Sequence, residues 1–571
     1  MTVTLDSAVA GEVTVRQSAD DEAPAPAVRP GSLPGWQVQM PLRRVLIAEG
    51  VAAVTVLALA RVTVWWALIP VVLVVLLVST VTYREATASR WLHRAWTLRR
   101  TRRRERSRAA RAIIPEPFSV ELPGVGPIGM RWDGEYALTM IALHGQEYAE
   151  TALIPEGVDT RDVMPLEACA ALLQQFGGLE LHSVDVVSEG TRTASDGWYT
   201  PRYAEIIADR AAVGIRRTWL VLRLRPQACL LAMAYRASVA QAAAAATERI
   251  RQAAARDGCR AVTCSPEQLS EATAALLDHR DLDSYSERWT DLRVGDDYVS
   301  VYRVAGKDLT TRHLNDLWTI RAKKTVVLLR LTRDEASGEL LVSCLLRIHT
   351  ASPQPHPPIS TLQSVPGQTF AALLAALPLG GRSVELALSA RSVAQPELRV
   401  PVGPSGFLHG MAERAGVPYL LSWSDPQRFV RVGVAASLEV VEALILRATA
   451  AGATAEIHTV RPRLWQPICD GTRISLARPG ERSDDAILVV ADGEQPRKVL
   501  GSSGERGHTL VTVVDSDALL PEDTDIQIRQ VSEQRITVLT PVRDREIQLG
   551  IMRPRNESQS LAHLRAKRGA R

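Results

Sequence analysis

The chain has 571 residues, 46% apolar and 23% charged, with a formal net charge of +4. That balance excludes a wholly disordered or collagen-like chain and suits several globular domains. The positive excess sits in one arginine-rich stretch beside the most apolar part of the chain. It therefore argues for contact with anionic lipid and against a nucleic-acid surface.

Residues 1–41 carry Asp20-Asp21-Glu22 and Pro/Ala pairs with little to bury, and are expected to form a disordered acidic tail. Residues 42–82 follow as two apolar tracts, Leu42 to Ala60 and Val62 to Val81, split by Arg61 alone. As one helix they would be roughly 60 Å long, against a hydrocarbon core of roughly 30 Å. Two transmembrane helices with a very tight turn at Arg61 are the expectation. The second tract holds thirteen Val, Ile or Leu and no charge, and should insert unaided. In the first, Glu49 would cost about 2.5 to 3.5 kcal/mol at mid-membrane. It is expected near the inner interface or against a partner, with a proton or ion relay as the sharper alternative.

Eleven Arg lie between Arg84 and Arg111, among them Arg99, Arg100, Arg102, Arg103 and Arg104, against only Glu85 and Glu105. Arg43 and Arg44 stand at the start of the first tract. Positive flanks stay inside, so the expected topology is two-pass in the cytoplasmic membrane with both termini in the cytoplasm. Trp65 and Trp66 beside the turn, and Tyr83, Trp91 and Trp96 at the other end, would mark the two headgroup levels. Residues 83–114 read as an Arg-rich juxtamembrane helix. The late start and the lack of a small-residue cleavage site exclude a secretory signal.

The fold class expected is a membrane-anchored α/β protein: two transmembrane helices, cytosolic mixed α/β domains and a C-terminal, mostly β module. Domain borders are placed at 115–290, 291–470 and 471–555, with a basic tail at 556–571. Helices are predicted at Pro165–Phe176, Val239–Arg256, Ser265–Leu277, Gly367–Leu377 and Leu438–Ala451. Strands are predicted from Arg131 to Leu143 and at Leu179–Val187, Trp219–Leu224, Val384–Ser389, Val430–Val434 and Ala455–Val460, with loops at Ser352–Pro358 and Gly403–Gly410. Strands separated by helices imply a partly parallel sheet. After Gly471 the pattern turns to period two, at Ala486–Ala491, His508–Val514, Asp525–Arg529, Ile536–Leu539 and Glu546–Ile551. Two short echoes, Arg216–Leu224 with Lys323–Leu331 and Arg131–Tyr136 with Arg293–Tyr298, leave open whether the second α/β region repeats the first.

Chemical motifs are scarce. There is no G-x-x-x-x-G-K-[ST] loop, H-E-x-x-H, G-x-S-x-G or strand-to-helix G-x-G-x-x-G. No cofactor or metal is expected. The six Cys (169, 229, 259, 264, 344, 469) lack metal spacing and read as buried thiols. Three Asp-x-Asp triplets, at Asp281/Asp283, Asp515/Asp517 and Asp523/Asp525, keep one alternative open. A membrane-anchored, glycosyltransferase-like enzyme would hold a divalent metal on a nucleotide sugar with such a pair. Trp198, Tyr199 and Tyr203, flanked by Arg192, Arg202 and Arg210, read as a docking loop or as a local packing cluster. With Arg217 and Trp219 at the head of the next strand, Trp198 and Tyr199 stand as candidate partner-docking residues.

The tandem membrane helices, the Arg-rich run, Gly126-Pro-Ile-Gly129 to Tyr136, Arg217-Thr218-Trp219 to Pro226, and Ala448 to Trp465 together resemble the EccE family of type VII (ESX) secretion systems. The resemblance covers roughly residues 42 to 470. It implies a non-catalytic structural subunit of an inner-membrane complex with EccB, EccC and EccD, in which EccC is the motor and EccD the most direct partner.

Overall fold

The computed structural model describes residues 36–38, 81–83, 86–103, 114–234, 236–394, 397–478, 486–493, 507–554 and Glu557. The expected hairpin, with Glu49, Arg61, Trp65 and Trp66, lies outside them apart from Val81 and Thr82, as does Arg104. Among the described residues no helix is long and apolar enough to cross a membrane. The described residues include both ends of that stretch. Strand β1 (Trp36–Val38) pairs antiparallel with β2 (Val81–Tyr83), Trp36 opposite Tyr83 and Val38 opposite Val81. The chain thus leaves at Val38 and returns to the same place at Val81.

Val81 and Thr82, expected at the end of the second tract, are β-branched and take up strand. A further strand, β3 (Ala86–Thr87), precedes helix α1 (Ala88–Arg103), which carries Arg99, Arg100, Arg102 and Arg103. Helix α1 docks through Trp91 on Trp289, ring centroids 5.6 Å apart, and through the buried Leu98. Leu92, Trp96 and Arg99, at i, i+4 and i+7, form an exposed face. Trp91 therefore packs against the loop that carries Trp289.

The next strands are β4 (Phe118–Leu122), β5 (Gly126–Asp133) and β6 (Tyr136–Gly145), with β7 (Glu150–Ile154) and β8 (Gly157–Thr160) departing for a second sheet. Helix α2 (Leu166–Ala171) leads to β9 (Leu181–Thr191), and α3 (Thr200–Ile207) to β10 (Ile215–Leu224). The short α4 (Leu230–Met233) and the long α5 (Val239–Arg256) come before β11 (Arg260–Thr263) and α6 (Pro266–Leu276). Then follow β12 (Tyr285–Glu287), β13 (Leu292–Val294), β14 (Asp297–Val304), α7 (Thr311–Leu317), β15 (Lys324–Arg333) and β16 (Leu340–Thr350). Three small elements complete this part: β17 (Leu362–Ser364), α8 (Thr369–Ala375) and α9 (Gly381–Val384), before β18 (Ala390–Ser392).

These strands form a thirteen-stranded sheet in the order β12-β13-β14-β16-β15-β9-β10-β6-β5-β4, with β11, β17 and β18 paired at its sides. Every pairing is antiparallel. The partly parallel sheet expected over this stretch is corrected: short turns join β4 to β5, β5 to β6 and β15 to β16, and a short turn can only return the chain antiparallel. The order β5-β6-β10-β9 on one side of the β9–β15 seam is answered by β13-β14-β16-β15 on the other. The Arg131–Tyr136 and Arg293–Tyr298 echoes fall on matching hairpins. The other echo joins β10 with β15, which occupy different places in that order.

Both faces of the sheet are covered. Helix α5 lays Ala243, Ala246 and Ile250 on one face, its alanines allowing close approach, and α6 and α8 cover the other with Leu269, Ala272 and Leu373. Under α8 lies a fully buried ion cluster. Arg223 on β10 and Arg330 on β15 both bind Asp185 on the central β9, at 2.5 and 2.8 Å, and both reach Ser383. The strand expected at Val384–Ser389 does not form: a helical turn ends at Val384 and the next strand begins only at Ala390.

The second sheet contains β19 (Phe407–Ala412), where a loop had been expected, β20 (Val417–Leu421) and β21 (Val430–Ala435). Helix α10 (Leu438–Ala450) crosses to β22 (Ala455–Thr459), and α11 (Pro462–Trp465) to β23 (Ile474–Leu476). The last strands are β24 (Leu488–Asp492), β25 (Thr509–Val514), β26 (Ile526–Ser532), β27 (Arg535–Leu539) and β28 (Ile547–Gly550). The order β23-β22-β24-β25-β21-β26 is parallel throughout and continues antiparallel through β27, β28, β19, β20, β7 and β8. This sheet draws strands from both sides of the borders placed at 290 and 470. The chain is a mixed α/β protein built on two large sheets.

Candidate docking cleft

The upper end of the first sheet, where β6 finishes and β10 begins, abuts the amino ends of the parallel strands of the second. Two glycines permit this close approach. A Cβ on Gly214 would lie 2.1 Å from the Ala451 carbonyl oxygen, and one on Gly452, at φ +126°, 2.3 Å from Ile215 Cδ1. The backbone N–H of Ala194 donates to Ala450 O at 2.8 Å across the same seam. Beside this contact opens a cleft of about 400 Å³. Its walls include Trp219, Phe407, Trp423, Ile215 and Leu488, with His144 and Arg217 as polar members.

Each polar group has a physical assignment. Arg217 is half exposed, places its guanidinium 5.6 Å from the Trp219 ring and donates to Glu189 at 3.1 Å. Glu189 also binds Lys324 at 2.7 Å, and Lys324 pairs in turn with Asp278. His144 Nε2 accepts from Gln427 Nε2 at 3.0 Å. Burial, reinforced by Arg260, holds this imidazole below its usual range, so it is neutral at pH 7. Asp162 behind the cleft accepts from Gln146 N and Gly403 N, yet burial outweighs these bonds and raises its carboxyl.

Of the four candidate docking residues, Arg217 and Trp219 meet at this cleft. Trp198 and Tyr199 lie elsewhere. The Trp198 indole donates to Ile468 O at 3.3 Å. Tyr199 is buried, and its hydroxyl donates to Glu557, which Arg447 grips at 2.7 Å. The Tyr199 ring thus packs inside the molecule and is not presented at the surface. Sequence reasoning missed Phe407 and Trp423; Trp423, set between Ser422 and Ser424 and near Pro426, reads as loop rather than wall.

The residues of the enzymatic alternative are dispersed. Asp281 and Asp283 flank the buried Leu282 on the rim of a separate open cleft with Arg131 and His279. Asp525 accepts from the Arg431 backbone N at 2.8 Å, and Asp523 pairs with the Arg431 side chain at 3.3 Å. Among the described residues no three His, Cys, Asp or Glu are grouped to hold a metal. Burial pushes the thiols of Cys169, Cys259 and Cys264 up to about 12, so they stay protonated at neutral pH.

The family described as the type VII ESX secretion system translocon, EccE, matches residues 212–304, a stretch that opens just before Gly214 and includes Arg217 and Trp219. An ESX-5 secretion system protein EccE5 of Mycobacterium marinum is 27% identical over 351 residues, covering 59% of this chain and 86% of the relative. The chain is similar to EccE proteins of type VII secretion systems. Two other EccE relatives, both from Mycobacterium tuberculosis, are an ESX-2 secretion system protein EccE2 and an ESX-1 secretion system protein EccE1. They are 26% and 24% identical over 60% and 72% of this chain, covering 62% and 80% of their own lengths. The chain thus spans less than two thirds of EccE2.

Proposed function

We propose that this chain is an EccE-type, non-catalytic structural subunit of a type VII (ESX) protein secretion complex in the cytoplasmic membrane. The observation that carries the anchoring half of this reading is the pairing of β1 with β2. A single membrane pass between Val38 and Val81 would leave Trp36 and Tyr83 about 30 Å or more apart on opposite sides. Their pairing side by side supports an outward and a return pass, with Arg61 at the turn, Trp65 and Trp66 at the outer headgroups and Glu49 toward the inner interface. Arg99, Arg100 and Arg102 to Arg104 hold both termini in the cytoplasm. The exposed Leu92, Trp96 and Arg99 face of α1 suits an anionic lipid surface.

The bracing half rests on the likeness to EccE proteins and on the cleft. EccB, EccC and EccD are the partners of this reading, with EccD the most direct, and Arg217 beside Trp219 forms the cytosolic contact. Single cysteines at Trp36, Arg61 and Tyr83, labelled in intact cells with a membrane-impermeant maleimide, test the topology. Labelling of the cysteine at 61 alone is expected; labelling at 83 without 36 would refute the hairpin.

A further inference from the structure

We infer that the seam cleft is a binding site for an apolar carboxylate, an aromatic or branched hydrocarbon body carrying one carboxyl group. This deepens the docking reading above and rests on it for location only. The body follows from the walls: Trp219, Phe407 and Trp423 with Ile215 and Leu488 give an aromatic and aliphatic lining at a junction between sheets, and about 400 Å³ admits a ligand of amino-acid to short-peptide-terminus size.

The carboxyl group follows from the distribution of donors. Trp423 is 2% exposed, and its indole N–H finds no acceptor among the described residues. The fold itself leaves that donor unpaired beside the wall. Arg217 brings a half-exposed guanidinium to the same wall, and no described lining residue is a carboxylate. The acids around the wall are already engaged, Glu189 with Arg217 itself at 3.1 Å. Asp162 accepts from two backbone N–H groups, Asp425 binds Arg260 at 2.8 Å, and Glu147 pairs with Arg428. The second arginine of the lining, Arg216, is spent on the carbonyls of Pro401 and Gly403 and on the Trp318 ring. The wall therefore offers donors and one partly free cation to whatever enters.

Two sources share this chemistry: the C-terminal residue of a polypeptide and a free fatty or aromatic acid. Calorimetric titration of the detergent-solubilised full chain separates them, using N-acetyl-L-phenylalanine, its carboxamide, decanoate, and an acetylated hexapeptide ending in Leu-Phe with a free carboxyl. The acids are expected to bind and the carboxamide to bind about tenfold more weakly, the worth of one charge-assisted hydrogen bond. Tightest binding by the hexapeptide assigns a polypeptide terminus, and tightest binding by decanoate a free acid. R217Q should erase the preference for acid over amide, and W423F should weaken every ligand while keeping the ring. A453W, at the cleft wall, should abolish binding with an unchanged circular dichroism spectrum. Equal binding of acid and amide, or binding that survives A453W, would overturn the assignment. Absence of binding by all four probes would do so too, while leaving the docking role to be judged by complex assembly.

Discussion

At Asp185 three charges are taken wholly out of water. Burial alone would raise this carboxyl, but the guanidiniums of Arg223 and Arg330 overcome it and hold the group below its usual range. Asp185→Asn would leave two buried cations without a counter-charge and should cost about 3–5 kcal/mol, read as a lowered melting temperature of the solubilised chain. His409 acts in the opposite sense. Its Nδ1 donates to Phe407 O at 2.9 Å, Nε2 has no partner among the described residues, and burial pushes the imidazole down to about 3. The fold thus favours the neutral ring. Its contribution is complete above the unfolded value near 6.5 and is lost as pH falls from there toward 3, at up to about 1.4 kcal/mol per pH unit. His409→Phe should flatten the fall in melting temperature between pH 6.5 and 4; an unchanged slope would mean that other groups govern acid sensitivity. Asp185, as a β-strand acid among apolar neighbours, gave no hint of this role in sequence, because its partners lie on strands distant along the chain.

At the scale of elements, the clearest sequence signals were local. Helix α5 spans Val239–Arg256 as read, with Ser238 accepting from Gln241 N at its start. Helix α6 opens with a full capping box between Ser265 and Gln268. Strand direction was illegible, since a run of apolar residues does not say which neighbour it will meet. The period-two pattern after Gly471 likewise marked strands correctly, but β24 and β25 are buried on both faces between parallel neighbours. The seam depends on backbone approach. Gly214→Ala would set a methyl 2.1 Å from Ala451 O and force the sheets apart. Protection of Ala194 and Ser405 amides, both bonded across this region, should fall in hydrogen exchange, while the Asp185 region keeps its protection. Uniform loss across both sheets would instead mean that the molecule unfolds as one unit.

For the whole molecule, sequence alone carried the EccE likeness and the expectation of an anchor, while the two-sheet body and its cleft needed the tertiary structure. Trp219 was visible as a strand residue, yet only the meeting of two sheets makes it a wall beside Arg217. A structural subunit should tolerate loss of acids that serve no contact and fail where its docking surface is reversed. The decisive comparison is the native mass of the type VII membrane complex from cells lacking the endogenous chain and supplied with wild-type, Arg217→Glu or Asp281→Ala/Asp283→Ala protein. The account predicts full mass for wild type and the aspartate double variant, and a smaller complex for Arg217→Glu at equal cellular abundance of the chain. A full-mass complex with Arg217→Glu, joined by lost secretion in the aspartate variant, would contradict it.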